Sequence, residues 1–246
     1  MWNESSVRVD QSLYKALMTD IANNLAQIQQ RIALAAENTQ RNPSSIALLA
    51  VSKTKPIEMI EAAYAAGQRS FGENYLQDAL PKIEALAGLD IEWHYIGRIQ
   101  SNKTRPIAEN FSWVHAIDSI KHAQRLNDQR PDGLPALNCC IQLNLSGEDS
   151  KGGIHPDALI ETATAFNDLS HCRLRGLMTM PDPDSSAAQQ QAVFHQLAGC
   201  LNELKQQGLD VDTLSMGMSG DLELAIAEGS TMVRIGTDIF GARSYP

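Results

Sequence analysis

Lys53 is the residue of this sequence whose position most strongly suggests chemistry. It follows an apolar run, residues 46–51, that has the composition of a strand buried on both faces. Alternate residues of a strand share a face, so Lys53 points the same way as Leu49 and Val51. If that face is the interior of a sheet, a lysine there is costly unless it is paired, deprotonated or used covalently. The alternative is a lysine whose stem packs at the strand end while its amine reaches solvent.

Small and hydroxyl residues near the C-terminus form a second cluster. Residues 215–219 and 236–237 each follow a short apolar run. Small residues let backbone N–H groups approach an anion, and serine or threonine adds a hydroxyl donor. Either segment alone is more simply a tight turn, but two such segments at strand ends favour a phosphate site. The candidate residues are Ser215, Gly217, Ser219, Gly236 and Thr237.

Three further polar residues lie on or after predicted strands. Arg234 is on the last strand, where it is either a fixed cation beside a ligand or the partner of Glu73 or Asp238 in an internal ion pair. Asn74 and His94 are candidate ligand contacts. An asparagine at a strand end commonly forms a turn, however, and a lone histidine is commonly packed in a core.

The elements that must position these residues alternate between strands and helices. After a leading helix over 13–32, the sequence predicts strands at 46–51, 70–73, 91–96, 113–117, 137–143, 174–178, 213–216 and 232–235. Helices are predicted between them, among them 102–110, 119–128, 156–169 and 186–206.

Eight β-then-α units predict an α/β fold with a parallel sheet that closes into a (β/α)₈ TIM barrel. The rival is an open doubly wound sheet, but no G-x-G-x-x-G follows the first strand. We expect one domain over residues 1–246, with residues 1–11 as a loosely ordered extension. No helix is expected after the last strand, so the leading helix would take that place in the outer ring.

Composition narrows the classes of function. The chain has 246 residues, near the roughly 250 of a typical barrel of this kind. Its net charge of −9 argues against a nucleic-acid-binding surface, which needs clustered Lys and Arg. The sequence has no apolar signal core and no stretch of membrane-spanning length. The four cysteines lack metal-ligand spacing, and the adjacent Cys139 and Cys140 in an apolar run are expected to be buried thiols. A reducing cytoplasm is therefore expected.

A lysine amine opposite a phosphate site suggests two classes of ligand. One is a phosphorylated sugar, as in lysine-dependent aldolases. The other is pyridoxal 5′-phosphate (PLP), which carries an aldehyde and a phosphate on one small ring.

Several sequence motifs, in their order along the chain, resemble those of the pyridoxal phosphate homeostasis protein family. The resemblance runs from about residue 22 to the end of the chain. The motifs are AVSKTKP at 50–56, FGENY at 71–75, WHYIG at 93–97 with QSNK at 100–103, RGLM at 175–178, LSMGMS at 214–219, and GSTMVRIGT at 229–237 with IFGAR at 239–243.

The resemblance implies a fold type III barrel similar to the N-terminal domain of bacterial alanine racemase. It implies an internal aldimine on Lys53. It also implies phosphate contacts from two motifs, SMGMS at 215–219, which includes Met218, and RIGT at 234–237. It also implies that Arg234 faces the pyridine nitrogen. The family is viewed as binding, buffering or delivering PLP without robust catalysis.

We therefore expect a non-catalytic PLP-binding protein that acts in PLP homeostasis. Arginine at the ring nitrogen disfavours the pyridinium form and so makes the cofactor a weaker electron sink. Racemisation needs acid/base groups on both faces of the Cα, and Lys53 could serve only one. No second domain is expected to supply the other. The alternatives are a low-activity PLP-dependent amino-acid racemase and a phosphosugar aldolase.

The expected partners are PLP and the apo-enzymes that could receive it, with neither nucleic acid nor membrane, and the chain is expected to be a monomer. Two other lysines are weaker candidates than Lys53. Lys55 precedes Pro56 and is expected to face the surface. Lys151 lies in a small-residue loop and could accept the aldehyde during transfer, although an exposed loop lysine is the favoured interpretation.

Overall fold

The computed structural model describes residues 11–145 and 152–242. Eight parallel strands close into a barrel in chain order, with helices between successive strands. The strands are β1 (Ala47–Val51), β2 (Ser70–Glu73), β3 (Glu92–Tyr95), β4 (Trp113–Ile117), β5 (Leu137–Gln142), β6 (Cys172–Met178), β7 (Thr213–Ser215) and β8 (Met232–Ile235). The helices are α1 (Gln11–Asn38), α2 (Ile57–Ala65), α3 (Leu76–Ala85), α4 (Thr104–Asn110), α5 (Ile120–Gln129), α6 (Leu159–Thr164), α7 (Ala187–Gln206), α8 (Leu222–Ala227) and α9 (Thr237–Phe240). The predicted barrel is confirmed, and every predicted strand is present with its ends shifted by at most two residues.

Local sequence signals explain where several helices begin. Ser119 accepts a hydrogen bond from the backbone N–H of His122 and so caps α5. Ser186 and Gln189 form a reciprocal capping box at the start of α7. The segment predicted as one helix over 156–169 is instead divided: 3₁₀ turns at Pro156–Ala158 and Ala165–Asp168 flank the short α6.

The expectation that no helix follows the last strand is wrong. The four-residue α9 follows β8 directly, because Ile239 and Phe240 have an apolar surface to pack on. That surface is α1, which packs against α2, α8 and α9 and closes the outer ring as expected. Asn24 of α1 also donates a hydrogen bond to the carbonyl oxygen of Ile239 at 2.9 Å.

The barrel interior and the layer between strands and helices hold two separate apolar clusters. The interior cluster is small, and Ile96 packs against it from the rim. Its members are Leu49, Trp113, Ala116, Cys140, Met178 and Met232. Ala50 and Phe71 belong instead to the larger cluster under the helices. Leu49 therefore points into the barrel, which is the orientation on which the argument for Lys53 depends.

Within 11–145 and 152–242, no helix combines the length and the apolar character that crossing a bilayer requires. The same residues contain no group of three or more His, Cys, Asp or Glu side chains that could hold a metal ion. Of the predicted N-terminal extension, residues 1–10 lie outside the described part of the chain.

The packing of α1 predicts that two side chains of similar size on this helix contribute differently to the free energy of unfolding. Ile28 is 2% exposed between α1 and the barrel, whereas Leu34 is 52% exposed. Ile28→Ala is expected to lower the free energy of unfolding by about 2–5 kcal/mol, because it leaves a cavity in a packed layer. The matched control Leu34→Ala should change it by less than about 0.5 kcal/mol. Urea denaturation measures both, and equal effects would contradict the placement of α1 as part of the ring.

Candidate functional site

A cavity of about 230 Å³ opens at the carboxyl ends of the strands, where barrels of this type carry their sites. Its lining includes seven of the ten predicted site residues: Lys53, Asn74, Met218, Ser219, Arg234, Gly236 and Thr237. The side chains of Val51, Ile96 and Met180 supply apolar walls. His94, Ser215 and Gly217 lie outside this lining. The chain thus brings an amine, a guanidinium and a hydroxyl-rich edge around a space suited to one small ring-bearing molecule.

Lys53 projects from a tight turn at the end of β1. The carbonyl oxygen of Ser52 accepts from the backbone N–H of Lys55 at 3.0 Å, which closes the turn. Lys53 is half-buried, and Thr54 has a φ of 63°, in the left-handed region. Lys55 lies near the surface, as expected, and also makes hydrogen bonds there. Its half-buried side chain donates to the carbonyl oxygens of Gly241 and Ala242 at 2.9 and 2.8 Å.

The two segments predicted to bind phosphate form one edge of the cavity. Ser219 and Gly220 follow β7, and Gly236 and Thr237 follow β8. Within the described residues, the backbone N–H groups of Ser219, Gly220 and Thr237 have no hydrogen-bond acceptor. Donors without acceptors beside a hydroxyl side chain are the arrangement that an anion satisfies.

Arg31 of α1 braces both of these segments from behind. It donates to the Ser219 carbonyl oxygen at 3.0 Å and to Asp238 Oδ2 at 2.7 Å, and it pairs with Glu223 at 2.8 Å. One guanidinium therefore contacts the β7–α8 loop, α8 and α9. Sequence reasoning missed Arg31, because it is one polar residue among many on a long helix and its partners lie about 200 positions away in the chain.

Arg234 is 4% exposed and reaches the floor of the cavity from β8. It donates to Ser215 Oγ at 2.8 Å and to the Thr179 carbonyl oxygen at 2.9 Å. Burial lowers the pKa of Arg234 to about 10, which leaves it protonated at neutral pH. The ion-pair alternatives for Arg234 are wrong, because Glu73 pairs with Lys82 at 2.9 Å and Asp238 pairs with Arg31.

Ser215 and His94 belong to a hydrogen-bonded chain that crosses the barrel beneath Arg234. Ser215 Oγ lies 2.8 Å from His115 Nδ1, and His115 Nε2 lies 2.9 Å from His94 Nδ1. His94 Nε2 in turn lies 2.9 Å from Glu92 Oε2 at the opposite end of the barrel. His94 is fully buried and stacks on Trp113, so its position is that of a packed histidine below the cavity floor.

The groups at the two ends of this hydrogen-bonded chain determine which atom donates in each hydrogen bond. The hydrogen bond from His94 lowers the pKa of Glu92, which therefore accepts as a carboxylate. Burial lowers the pKa of both His94 and His115, so each is neutral and carries one ring proton. His94 then donates to Glu92 and accepts from His115, and His115 accepts from Ser215. The Ser215 oxygen is left to accept from Arg234, which can only donate.

Asn74 and two glycines shape the rest of the cavity. Asn74 Oδ1 is buried and has no hydrogen-bond partner among the described residues, although the side chain lines the cavity. A Cβ on Gly97 would overlap the Asn74 carbonyl oxygen, so glycine there lets the loop after β3 pack against Asn74. Gly217 has a φ of 98° and its hypothetical Cβ would meet Ala225, which is a structural requirement behind the cavity edge. Lys151 lies outside the described residues.

Sequence comparison identifies relatives along almost the whole chain. The family model described as "Alanine racemase, N-terminal domain" matches residues 23–244. A pyridoxal phosphate homeostasis protein from Pseudomonas aeruginosa is 56% identical over 228 residues, which cover 93% of this chain and 98% of the relative. A protein of the same name from Escherichia coli is 53% identical over 231 residues, which cover 93% and 99%.

Solved structures agree with this placement. The structure of PipY from Synechococcus elongatus, solved with PLP bound, is 39% identical and superposes with a TM-score of 0.80 over 90% of this chain and all of that one. Alanine racemase from Corynebacterium glutamicum shares the fold at 17% identity and a TM-score of 0.69, over 92% of this chain and 62% of the racemase. The chain belongs to the alanine racemase N-terminal domain family and, within it, to the pyridoxal phosphate homeostasis proteins.

Proposed function

We propose that this protein binds PLP at the carboxyl end of the barrel and serves intracellular PLP homeostasis without robust catalysis. The observation that carries this proposal is the cavity itself, which gathers Lys53, Arg234 and the Ser219 and Thr237 edge within one small space. The names of the relatives and the PLP in the PipY structure support the same ligand.

The residues present fit this cofactor. PLP supplies an aldehyde that condenses with an amine, a phosphate, and a pyridine ring that can withdraw electrons. Lys53 Nζ would form a C=N bond with the aldehyde carbon, and the aldehyde oxygen would leave as water. Ser219, Gly236 and Thr237, with Met218 and Gly220 beside them, would hold the phosphate. Arg234 would meet the ring nitrogen, and Asn74 Oδ1 remains available for a donor on the ligand.

The charge of the chain makes the local cations important. A protein with a net charge of −9 repels a phosphate ester at long range. Attraction must come from groups near the cavity, which are Arg234, Lys53 and backbone N–H donors at its edge. Ser215, Gly217 and His94 would act from behind the lining, by holding Arg234 and the phosphate edge in place.

The lining argues against amino-acid racemisation. Among the described residues of the lining, Lys53 and Arg234 are the titratable side chains. Racemisation needs a second acid/base group on the opposite face of the substrate Cα, and Arg234 stays protonated. A protonated arginine at the ring nitrogen also disfavours ring protonation and weakens the cofactor as an electron sink. A PLP-binding role without turnover therefore suits the site better than a low-activity racemase.

Three further properties complete the proposal. The large apolar side chains exposed among the described residues are few, and they come from separate segments of the chain: Leu34, Tyr75, Leu134 and Met180. This distribution favours a monomer. All four cysteines are free thiols, which suits a reducing cytoplasm. The open cavity mouth is compatible with release of the cofactor to recipient apo-enzymes.

Trapping with borohydride tests the covalent role of Lys53. Protein incubated with PLP and reduced should gain the mass of one phosphopyridoxyl group on the peptide that contains Lys53, because reduction makes the C–N bond permanent. Lys53→Ala should lose the label at this peptide, while Lys121→Ala, on the outer helix α5, should keep it. Peptide mass spectrometry reads the position. Wild-type protein labelled only elsewhere would contradict the proposal.

The brace formed by Arg31 predicts a phosphate-specific defect. Arg31→Met should weaken binding of PLP by at least about tenfold, because removing one charged hydrogen-bonding group costs about 1.5–3 kcal/mol at the phosphate edge. Binding of pyridoxal, which lacks the phosphate, should change little. Absorbance titration measures both affinities, with the exposed Arg105→Met as the control. An equal loss for the two ligands would show that Arg31 does not support the phosphate edge.

A further inference from the structure

We propose that Asp78 and Lys82 of α3 are positioning residues for Lys53: together they hold the peptide groups on both sides of Lys53, and so aim its amine into the cavity. This inference rests on the proposed function, because it concerns how Lys53 is presented to PLP. It assigns a role to a cluster of charged side chains that lies outside the cavity lining.

The turn that carries Lys53 requires a backbone conformation that is unfavourable for the residue at its third position, Thr54. Lys53 and Thr54 are the two central residues of the β-turn closed by Ser52 and Lys55, and Thr54 has a φ of 63°. A turn with positive φ at its third residue normally has glycine or asparagine there. A β-branched residue in this region is strained, so it persists only where surrounding contacts hold it.

Asp78 and Lys82 supply those contacts from one turn of α3. Asp78 Oδ2 accepts from the backbone N–H of Thr54 at 2.8 Å, and Lys82 Nζ donates to the Ser52 carbonyl oxygen at 3.0 Å. The two side chains also pair with each other at 2.7 Å. The peptide group before Lys53 and the peptide group after it are therefore tied to the same helix.

Glu73 keeps the ammonium of Lys82 in place beneath the turn. Lys82 is 4% exposed, and its Nζ lies 2.9 Å from Glu73 Oε1, which also accepts from Ser52 Oγ at 2.7 Å. Burial raises the pKa of Glu73 to about 7, which reflects the cost of a carboxylate at this depth. Buried ion pairs add little net stability over apolar packing, so the geometry they impose is the better reason for this cluster.

The consequence for Lys53 is orientational. Its amine stands at the end of a flexible four-carbon stem, so the direction of the Cα–Cβ bond decides which part of the cavity Nζ can reach. Release of Thr54 from its strained conformation would rotate that bond. Small misplacements of a reacting group lower its rate of bond formation steeply, even where the fold is unchanged.

Two variants of the whole 246-residue chain, Asp78→Ala and Lys82→Met, test this inference. Each variant should slow covalent attachment of PLP to Lys53 by at least about tenfold. Absorbance after rapid mixing measures the rate of attachment. Asp78→Asn keeps an acceptor oxygen for Thr54 and should retain most of the wild-type rate. Arg105→Met disrupts an exposed pair on α4 and serves as the control for loss of a helical ion pair.

Two further measurements separate positioning from simple stability. Asp78 is only partly buried, with 33% of its side chain exposed, so its alanine variant should fold, and the Thr54 amide should exchange with deuterium faster in it. Thr54→Gly removes the strain, so in the Asp78→Ala background it should restore most of the attachment rate. Urea denaturation of Asp78→Ala and of the double variant measures any general loss of stability separately, and an attachment rate that falls only in proportion to the free energy of unfolding would contradict the positioning role.

The outcomes distinguish this inference from the proposed function. Wild-type attachment rates and unchanged Thr54 exchange in Asp78→Ala would overturn the positioning role while PLP binding stands. A wild-type protein that forms no covalent bond with PLP at Lys53 would overturn both.

Discussion

The buried guanidinium of Arg234 is the constraint on which the interior of this barrel depends. A cation taken out of water needs fixed acceptors around it, and Arg234 finds them in Ser215 and the Thr179 carbonyl. Ser215 can accept from Arg234 because its own proton goes to His115, and the chain of donors continues to the carboxylate of Glu92. Residues of β3, β4, β7 and β8 thus form one hydrogen-bonded network that stabilises the charge of Arg234 below the cavity.

That charge also decides what the site can do. Arg234 keeps its proton at neutral pH despite its lowered pKa, so a pyridine nitrogen beside it has little tendency to take another. Under the proposed function, Lys53 would face a cofactor that can be held covalently but is weakly activated toward further steps. In the proposed role, the turn at Thr54 and its contacts with Asp78 and Lys82 would orient Lys53 for that covalent bond. Attraction for the phosphate stays local in a chain of net charge −9.

Features with a short-range or periodic cause could be predicted from the sequence. The two-residue period of a strand predicts that Lys53 lies on the same face as Val51. Because parallel strands end at the same rim of a barrel, it is also predictable that Ser219 and Thr237 lie together. Other features depend on side chains meeting across the fold. Arg31 braces Ser219 from 188 positions away. His94 joins a chain of donors instead of the lining, and α9 forms because α1 offers it an apolar surface.

The central claim is that Arg234 and Lys53 hold PLP without turning it over, and exchange of the substrate α-proton tests this most directly. Protein saturated with PLP is incubated with L-alanine in deuterium oxide, beside an alanine racemase as the positive control, and proton NMR follows the α-proton signal. The structure predicts that the signal persists while the racemase removes it, because no second acid/base group lines the described cavity. Loss of the signal at enzymatic rates, abolished by Lys53→Ala, would contradict the account.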